Sequence, residues 1–179
     1  MSSRIQIHEA MADVVAATKT KLGLSVLNYL YGTLDDLTQD LRDMTQSQTY
    51  EAQKYPLVWL PMDITEVYTN NDFIYTANVN LVICDATRAT YRTGERFANT
   101  FAPTLQPIYE ELLNQLVLSS YFAFGDASTI EHSKTDRIAW GKKALITLNG
   151  QGVDFVDAIE LTNLKLLTKF KDCNKKWQI

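Results

Sequence analysis

The hydrophobic pattern of the first part of the chain predicts a helix followed by a strand. Apolar side chains recur every three to four residues between residues 5 and 21, which is the spacing of one helix face. Gly23 follows with basic residues just before it, as at a helix C-terminus. The apolar and aromatic run 24–31 then predicts a strand that Gly32 closes.

A second helix is predicted from Thr33, as N-cap, to about residue 48. The acidic residues of its first turn suit the positive end of the helix dipole. We expect the core to be contacted by Leu34, Leu37, Leu41 and Met44. The opposite side carries Asp36, Asp40 and Asp43, which we interpret as a solvated acidic face.

Two strands are predicted next, a short one at 57–60 between prolines and a long one at 73–83. The long strand shows a strict period of two, which is the clearest signal in the chain. One face presents Phe73, Tyr75, Ala77, Val79, Leu81 and Ile83. The other presents the polar side chains of Thr76, Asn78 and Asn80.

The main helix is predicted over residues 93–119. A stripe of large apolar side chains at helical spacing is expected to be buried against the long strand: Phe97, Phe101, Leu105, Ile108, Leu112 and Leu116. Pro103 and Pro107 do not fit inside a regular helix, so we expect a bend near residue 103 or two consecutive helices.

The last third of the chain is predicted to hold two more strands. Residues 120–137 are interpreted as a long loop with an aromatic beginning and a polar, mobile remainder. A strand at 143–148 and a turn at 149–152 follow. A strand at 159–166 slips phase near Asn163, which indicates a β-bulge.

These elements predict an α+β fold with a mostly antiparallel sheet packed on one side by helices. A single domain is expected over residues 1–168, followed by a basic C-terminal tail at 169–179. A chain of 179 residues with 46% apolar side chains can bury a core without a metal or disulfide. Cys84, at the end of an apolar run, is expected to be buried, and Cys173 to be a free thiol.

Charge argues against tight binding to DNA. The net charge is −4, whereas non-specific DNA binding needs many basic side chains at phosphates. The charge is also segregated, because residues 165–179 hold five Lys and one Asp and the rest of the chain carries −8. No apolar run is long enough to predict a signal peptide or a membrane span, so we expect a protein that stays in a cytoplasm-like compartment.

No catalytic, cofactor or metal motif is found in the sequence. His8 lies on the first helix's apolar stripe and His132 in the polar loop, and neither has a partner at ligand spacing. Gly150 and Gly152 lack the third glycine and the helix of a dinucleotide site. We therefore expect no cofactor and no enzymatic activity, although an enzyme with an unrecognised site stays an alternative.

The order of elements resembles small virion proteins of tailed bacteriophages, namely tail-terminator and head–tail connector proteins of the type found in Bacteroidetes phages and prophages. The resemblance rests on the segments 27–33, 54–63, 81–83, 107–113 and 157–164. It implies an α+β subunit of a homo-oligomeric ring in the virion neck, assembled in the host cytoplasm. Such a ring joins portal, connector or tail proteins and lets DNA pass without specific binding, with no role for a membrane.

Two segments are the candidate contacts with partners. The first is the aromatic part of the loop, with Tyr121, Phe122 and Phe124. The second is the basic tail, with Lys169, Lys171, Lys175, Lys176 and Trp177. The three aromatic residues fit equally well as a completion of the domain's own core. A non-enzymatic cellular protein-binding or regulatory module is the alternative function.

Overall fold

The fold combines a mixed β-sheet with helices. The computed structural model describes residues 4–46, 53–68, 74–124, 126–140 and 154–169. Its helices are α1 (Ile7–Leu22), α2 (Leu34–Gln46), α3 (Thr93–Arg96) and α4 (Gln106–Leu118), with a π-helical segment (Phe97–Leu105) between the last two and a 3₁₀ turn at Ala127–Thr129. Its strands are β1 (Asn28–Gly32), β2 (Leu57–Pro61), β3 (Thr65–Tyr68), β4 (Tyr75–Ala86), β5 (Ser133–Arg137) and β6 (Val156–Leu167).

Within the described residues the sheet has the strand order β1-β2-β4-β6-β5, with β3 paired to the first half of β4. Of the pairings between described strands, that of β1 with β2 is parallel and the others are antiparallel. The α+β class and the mostly antiparallel sheet are therefore confirmed. The prediction of helices on one side alone needs a correction, given below.

The larger core lies between the sheet and α1, the π-helical segment and α4. The odd-numbered residues of β4 point into it, as the alternation predicted. Its β4 contribution is Tyr75, Ala77, Val79, Leu81 and Ile83. A second cluster lies on the opposite face, where Leu37 and Leu41 of α2 cover Trp59 and Cys84. Helices therefore cover both faces, because the continuous apolar run at the end of β4 needs burial on each side.

The ends of the first two helices follow local chemistry. Gly23 takes the left-handed conformation with φ 63°, and its N–H donates to the carbonyl of Thr20 (3.2 Å) while that of Leu24 donates to Lys19 (3.1 Å). At α2, the Asp36 N–H donates to Thr33 Oγ1 (3.2 Å) and the Thr33 N–H donates to Asp36 Oδ2 (2.9 Å). This reciprocal capping confirms Thr33 as the predicted N-cap.

The proline-containing helix is continuous and contains a π-helical segment rather than a break. The N–H of Gln106 donates to the carbonyl of Phe101, a step of five residues. Because the wider turn changes the phase of the stripe, Phe97 is 61% exposed, and its predicted burial was wrong. The remaining stripe residues are buried as predicted.

The predicted bulge in the last long strand is confirmed. The register of β4 against β6 shifts between Val79 and Leu81, and Asn163 has φ 55°. The Asn163 N–H, displaced from the ladder, donates to the side-chain oxygen of Asn80 (3.2 Å). Cys84 is buried and free, as expected.

The prediction of a loop over residues 120–137 is wrong for its last part, because Ser133–Arg137 forms the edge strand β5. This strand is polar, so no apolar alternation marked it, and it is held by backbone pairing with Ala158–Thr162 of β6. The short β3 was also not predicted. The predicted strand 143–148, the turn 149–152 and Cys173 lie outside the described residues.

Candidate interaction surface

The loop segment 121–124 and Lys169, the one described residue of the predicted basic tail, lie next to each other at one end of the sheet. The N–H of Ala123 donates to the Leu167 carbonyl (2.8 Å), and the N–H of Lys169 donates to the Tyr121 carbonyl (2.8 Å). Phe122 forms a bridge with Thr168 between these bonds. The loop after α4 thus pairs with the end of β6, next to Lys169.

The three loop aromatics have different environments. Phe122 is fully buried and tilted against Phe124 with ring centroids 6.4 Å apart, so it completes the core and does not offer its ring to a partner. Tyr121 is half-buried, and its hydroxyl donates to Asp13 of α1. That hydrogen bond, with some burial, raises the pKa of Tyr121. Tyr121 and Phe124 stay predicted contacts.

Lys169 belongs to the folded domain rather than to a separate tail. Besides its backbone bond, its Nζ donates to the carbonyl of Ser119 at the end of α4 (3.2 Å). These bonds hold Lys169 against the end of α4. The other predicted tail contacts, Lys171, Lys175, Lys176 and Trp177, lie outside the described residues.

A shallow groove of ≈ 400 Å³ opens beside this junction. Its lining includes Phe124, Thr76 and Leu167, with the ion pair between Lys165 and Glu131 at its polar side. The register places Val67, Thr76 and Leu167 side by side across β3, β4 and β6. Leu167 is 41% exposed and Val67 51% exposed, so this row presents two apolar side chains on either side of the half-buried Thr76. We call this row and the groove the open face.

Among the described elements, α2 covers one half of this sheet surface and leaves the open face at the other half. The side chains of Val82 and Cys84 on β4 are buried in the cluster with α2, whereas Thr76 and Asn78 on the same strand face are only half-buried. Alternating residues of a strand share one face, so these positions belong to one continuous surface. Its uncovered end offers contact area to another chain segment or protein.

A buried ion pair lies at the opposite end of the sheet. Arg96 Nη1 lies 2.7 Å from Asp157 Oδ1, and both side chains are almost fully buried. Arg96 also donates to the carbonyls of Tyr91 (3.0 Å) and Arg88 (3.2 Å). It therefore ties the connection after β4 to β6.

The surroundings of this ion pair are polar. The N–H of Ala139 donates to the same oxygen of Asp157 (2.9 Å), while Asp157 Oδ2 has no partner among the described residues. Burial raises the pKa of Asp85, the cross-strand neighbour of Asp157. The arrangement positions the π-helical segment on the sheet.

A second polar cluster joins α2 to the start of β6. Lys54 Nζ donates to Asp154 Oδ2 (2.5 Å) and to Thr45 Oγ1 (2.8 Å), and the Tyr55 hydroxyl donates to Asp154 Oδ2 (3.0 Å). Lys54 is buried, and burial raises the pKa of Tyr55. These contacts hold the covering helix in place.

The two histidines have structural partners. His8 stacks on Tyr31 with ring centroids 4.8 Å apart, and His132 Nε2 lies 2.9 Å from the Tyr109 hydroxyl. Among the residues that the structure describes, no three His, Cys, Asp or Glu side chains are grouped as a metal site would require. In the same part of the chain, no helix is long and apolar enough to span a membrane.

Sequence reasoning missed the polar pairs because their partners are far apart in the chain. Arg96 and Asp157 are 61 residues apart, and Lys54 and Asp154 are 100 residues apart. Neither pair has a local spacing that indicates contact. The open face was missed too. The alternation in β4 predicted a polar side of this strand, but it did not show that α2 packs on one half of that side.

No protein-family model matches the chain, and no curated protein matches it.

Proposed function

We propose that this chain is a structural virion protein of the phage neck, a tail-terminator or head–tail connector subunit that works as a closed ring between head and tail. The observation that carries the proposal is the junction of residues 121–124 with residues 167–169, beside an open face with Val67 and Leu167 exposed. Exposed apolar contacts grouped at one end of a domain are typical of protein–protein interfaces.

The edges of the sheet also suit a ring subunit. A ring needs two different surfaces on each subunit that fit each other by rotation. The edge strand β1 contains no charged residue, whereas β5 at the other edge contains Lys134, Asp136 and Arg137. In β1, the backbone groups of Asn28 and Gly32 form hydrogen bonds on the side of β2. Because alternate residues of a strand bond to opposite sides, the backbone groups of Tyr29 and Tyr31 point away from the sheet.

Charge supports the passage of DNA without specific binding. Outside residues 165–179 the chain carries −8, and a negative channel wall repels the phosphate backbone. The five lysines of residues 165–179 give the last part of the sequence the opposite charge. It provides a positive contact for an acidic neighbour in the assembly, such as a portal or tail protein.

The solution mass of the full-length chain tests the ring. We expect light scattering coupled to size exclusion to give a large multiple of the 20.3 kDa subunit mass, alone or after addition of a purified neighbouring virion protein. A variant with Leu167→Lys on the open face should lower the assembled fraction. Phe97→Lys, a matched change at an exposed position on the other side of the sheet, should leave it unchanged.

A different outcome would favour the alternative function. A chain that stays monomeric or dimeric with every virion partner, and that binds a host protein instead, would be a cellular protein-binding or regulatory module. The open face would then serve that partner, and the ring proposal would be wrong.

A further inference from the structure

The sheet ends in two strands whose outer sides pair with no further strand in the described part of the chain. β1 forms one edge and β5 forms the other. An unpaired edge presents a row of backbone donors and acceptors that can pair with another chain. Neither strand contains a proline, which would block such pairing by removing a donor. Each edge is therefore open to an added strand.

The hydrogen bonds of β6 alternate between its two neighbours in the sheet. The N–H of Thr87 donates to the carbonyl of Phe155 (2.8 Å), and Asp85 lies opposite Asp157 in the same register. Bonded pairs recur at every second residue of an antiparallel ladder, so the odd-numbered residues in the first part of β6 bond to β4. The even-numbered residues therefore bond to β5.

This alternation assigns the backbone groups that β5 directs away from the sheet. Thr135 lies opposite Glu160 of β6, so its backbone groups bond towards β6. The neighbouring residues Lys134 and Asp136 direct their N–H and C=O groups to the outer side. Two residues of β5 thus have backbone groups free to pair with another strand.

The two edges of the sheet match each other in spacing and direction. Each presents two outward residues separated by one, namely Tyr29 and Tyr31 in β1 and Lys134 and Asp136 in β5. The two strands run in opposite directions within the subunit, because β1 is parallel to β2 and the three further pairings along the sheet are antiparallel. A second copy, rotated about an axis along the strands, therefore offers its β5 antiparallel to β1.

The side chains of the two edges match as well. On the side of the larger core, Tyr31 packs against that core and Lys134 Nζ lies 5.4 Å from the centre of the Tyr109 ring on α4. On the opposite side, Leu30 packs against the second cluster. Thr135 shares that side, because successive residues of a strand point to opposite faces. Joining the two edges thus keeps both faces of the sheet continuous from one copy to the next.

We propose that β1 of one copy of this chain pairs antiparallel with β5 of the next copy, so that one sheet continues through the assembly. Tyr29 then lies opposite the next copy's Asp136 and Tyr31 opposite its Lys134, and each pair exchanges both backbone hydrogen bonds. The contact joins two different surfaces, as a ring closed by rotation requires. The inference rests on the homo-oligomeric ring of the proposed function and names the contact that forms it.

Cysteine pairs in the full-length chain test this contact, in a Cys173→Ser background and under the conditions of the mass measurement. Leu30 and the next copy's Thr135 form a non-hydrogen-bonded pair in the proposed register, with Cα atoms roughly 4.5 Å apart, which a disulfide spans. Within one chain the two strands are about 19 Å apart across the sheet, so this disulfide forms only between copies. Cys84 is buried and does not compete.

Ser133→Cys provides the matched control. Ser133 is an exposed residue on the same strand and face as Thr135, but its Cα would lie roughly 8 Å from that of Leu30, beyond the reach of a disulfide. We expect the chain with Leu30→Cys and Thr135→Cys to form a ladder of linked multimers at least about tenfold faster than the chain with Leu30→Cys and Ser133→Cys. Each single variant should stay unlinked on a non-reducing gel.

A second pair of variants leaves the cysteines out. Asp136→Pro removes the outward N–H without removing a bond to β6, whereas Asp136→Ala removes the same carboxylate and keeps the N–H. We expect Asp136→Pro to lose the assembled species in light scattering and Asp136→Ala to keep it. Far-UV circular dichroism confirms that both variants are folded.

An assembly that forms without linked multimers above the control, or that forms equally with Asp136→Pro and Asp136→Ala, would overturn the edge pairing and leave the neck ring standing. Linked dimers from Leu30→Cys alone would also overturn it, because they place two β1 strands against each other. A chain that stays monomeric with every virion partner would overturn the ring and the edge pairing together. Linked multimers of a protein that is absent from virions would support the pairing and contradict the neck function alone.

Discussion

Truncation of Leu112 is the most direct test of the packing of α4 on the sheet. Leu112 is fully buried in the larger core, in the stripe that faces β4. Leu112→Ala removes three carbon atoms, which costs about 2.4 kcal/mol at ~0.8 kcal/mol for each buried methylene group. The cavity left behind adds to this loss, so we expect a total of about 2–5 kcal/mol.

Leu118→Ala provides the control on the same helix. Leu118 is 74% exposed, so we expect its truncation to change the free energy of unfolding by less than ~0.5 kcal/mol. Urea unfolding followed by far-UV circular dichroism measures both variants. The midpoint should fall for Leu112→Ala while the slope stays constant.

In thermal unfolding, the loss for Leu112→Ala corresponds to a decrease of Tm of roughly 4–20 °C, at about 2–4 °C for each kcal/mol in a chain of this size. A loss below ~0.5 kcal/mol for Leu112→Ala, or an equal loss for both variants, would refute the described packing. It would mean that the stripe faces solvent.

Three further predictions follow from local geometry. In the same urea experiment, Phe101→Ala should lower the free energy of unfolding by about 3–5 kcal/mol. Phe97→Ala should change it by less than ~0.5 kcal/mol. Similar losses for the two variants would argue against the π-helical phase change. Arg96→Ala should lower the free energy of unfolding by about 3–5 kcal/mol, because it leaves the buried carboxylate of Asp157 without its ion-pair partner. An almost unchanged urea midpoint would contradict this. The pKa of Asp36 is lowered by hydrogen bonds from the side chain and backbone of Thr33, so Thr33→Ala should raise it. An unchanged Asp36 pKa in an NMR titration would disprove the capping. The capping contribution is present above the unfolded-state pKa and is lost as pH falls through the lower folded-state value, so Thr33→Ala should reduce the loss of stability in acid.

Sequence patterns predicted those elements whose burial follows the chain locally. The alternation of β4 identified its core face, and the phase slip at Asn163 identified the bulge. Gly23 and Thr33 identified helix ends, because their conformations and hydrogen bonds depend on neighbouring residues. These features need no knowledge of the rest of the fold.

Features set by distant partners could not be predicted in this way. The polar strand β5 forms because β6 offers a backbone edge, and its own residues show no apolar period. The exposure of Phe97 depends on the π-helical turn, and the buried pair of Arg96 and Asp157 joins residues 61 positions apart. The open face results from the limited reach of α2 across the sheet.

The proposed neck function is tested most directly by locating the protein in purified virions. Mass spectrometry of purified particles should detect this chain in a constant ratio to the portal protein, and antibody labelling in electron microscopy should mark the head–tail junction. Absence of the intact protein from purified virions, or labelling elsewhere on the particle, would contradict its assignment to the neck.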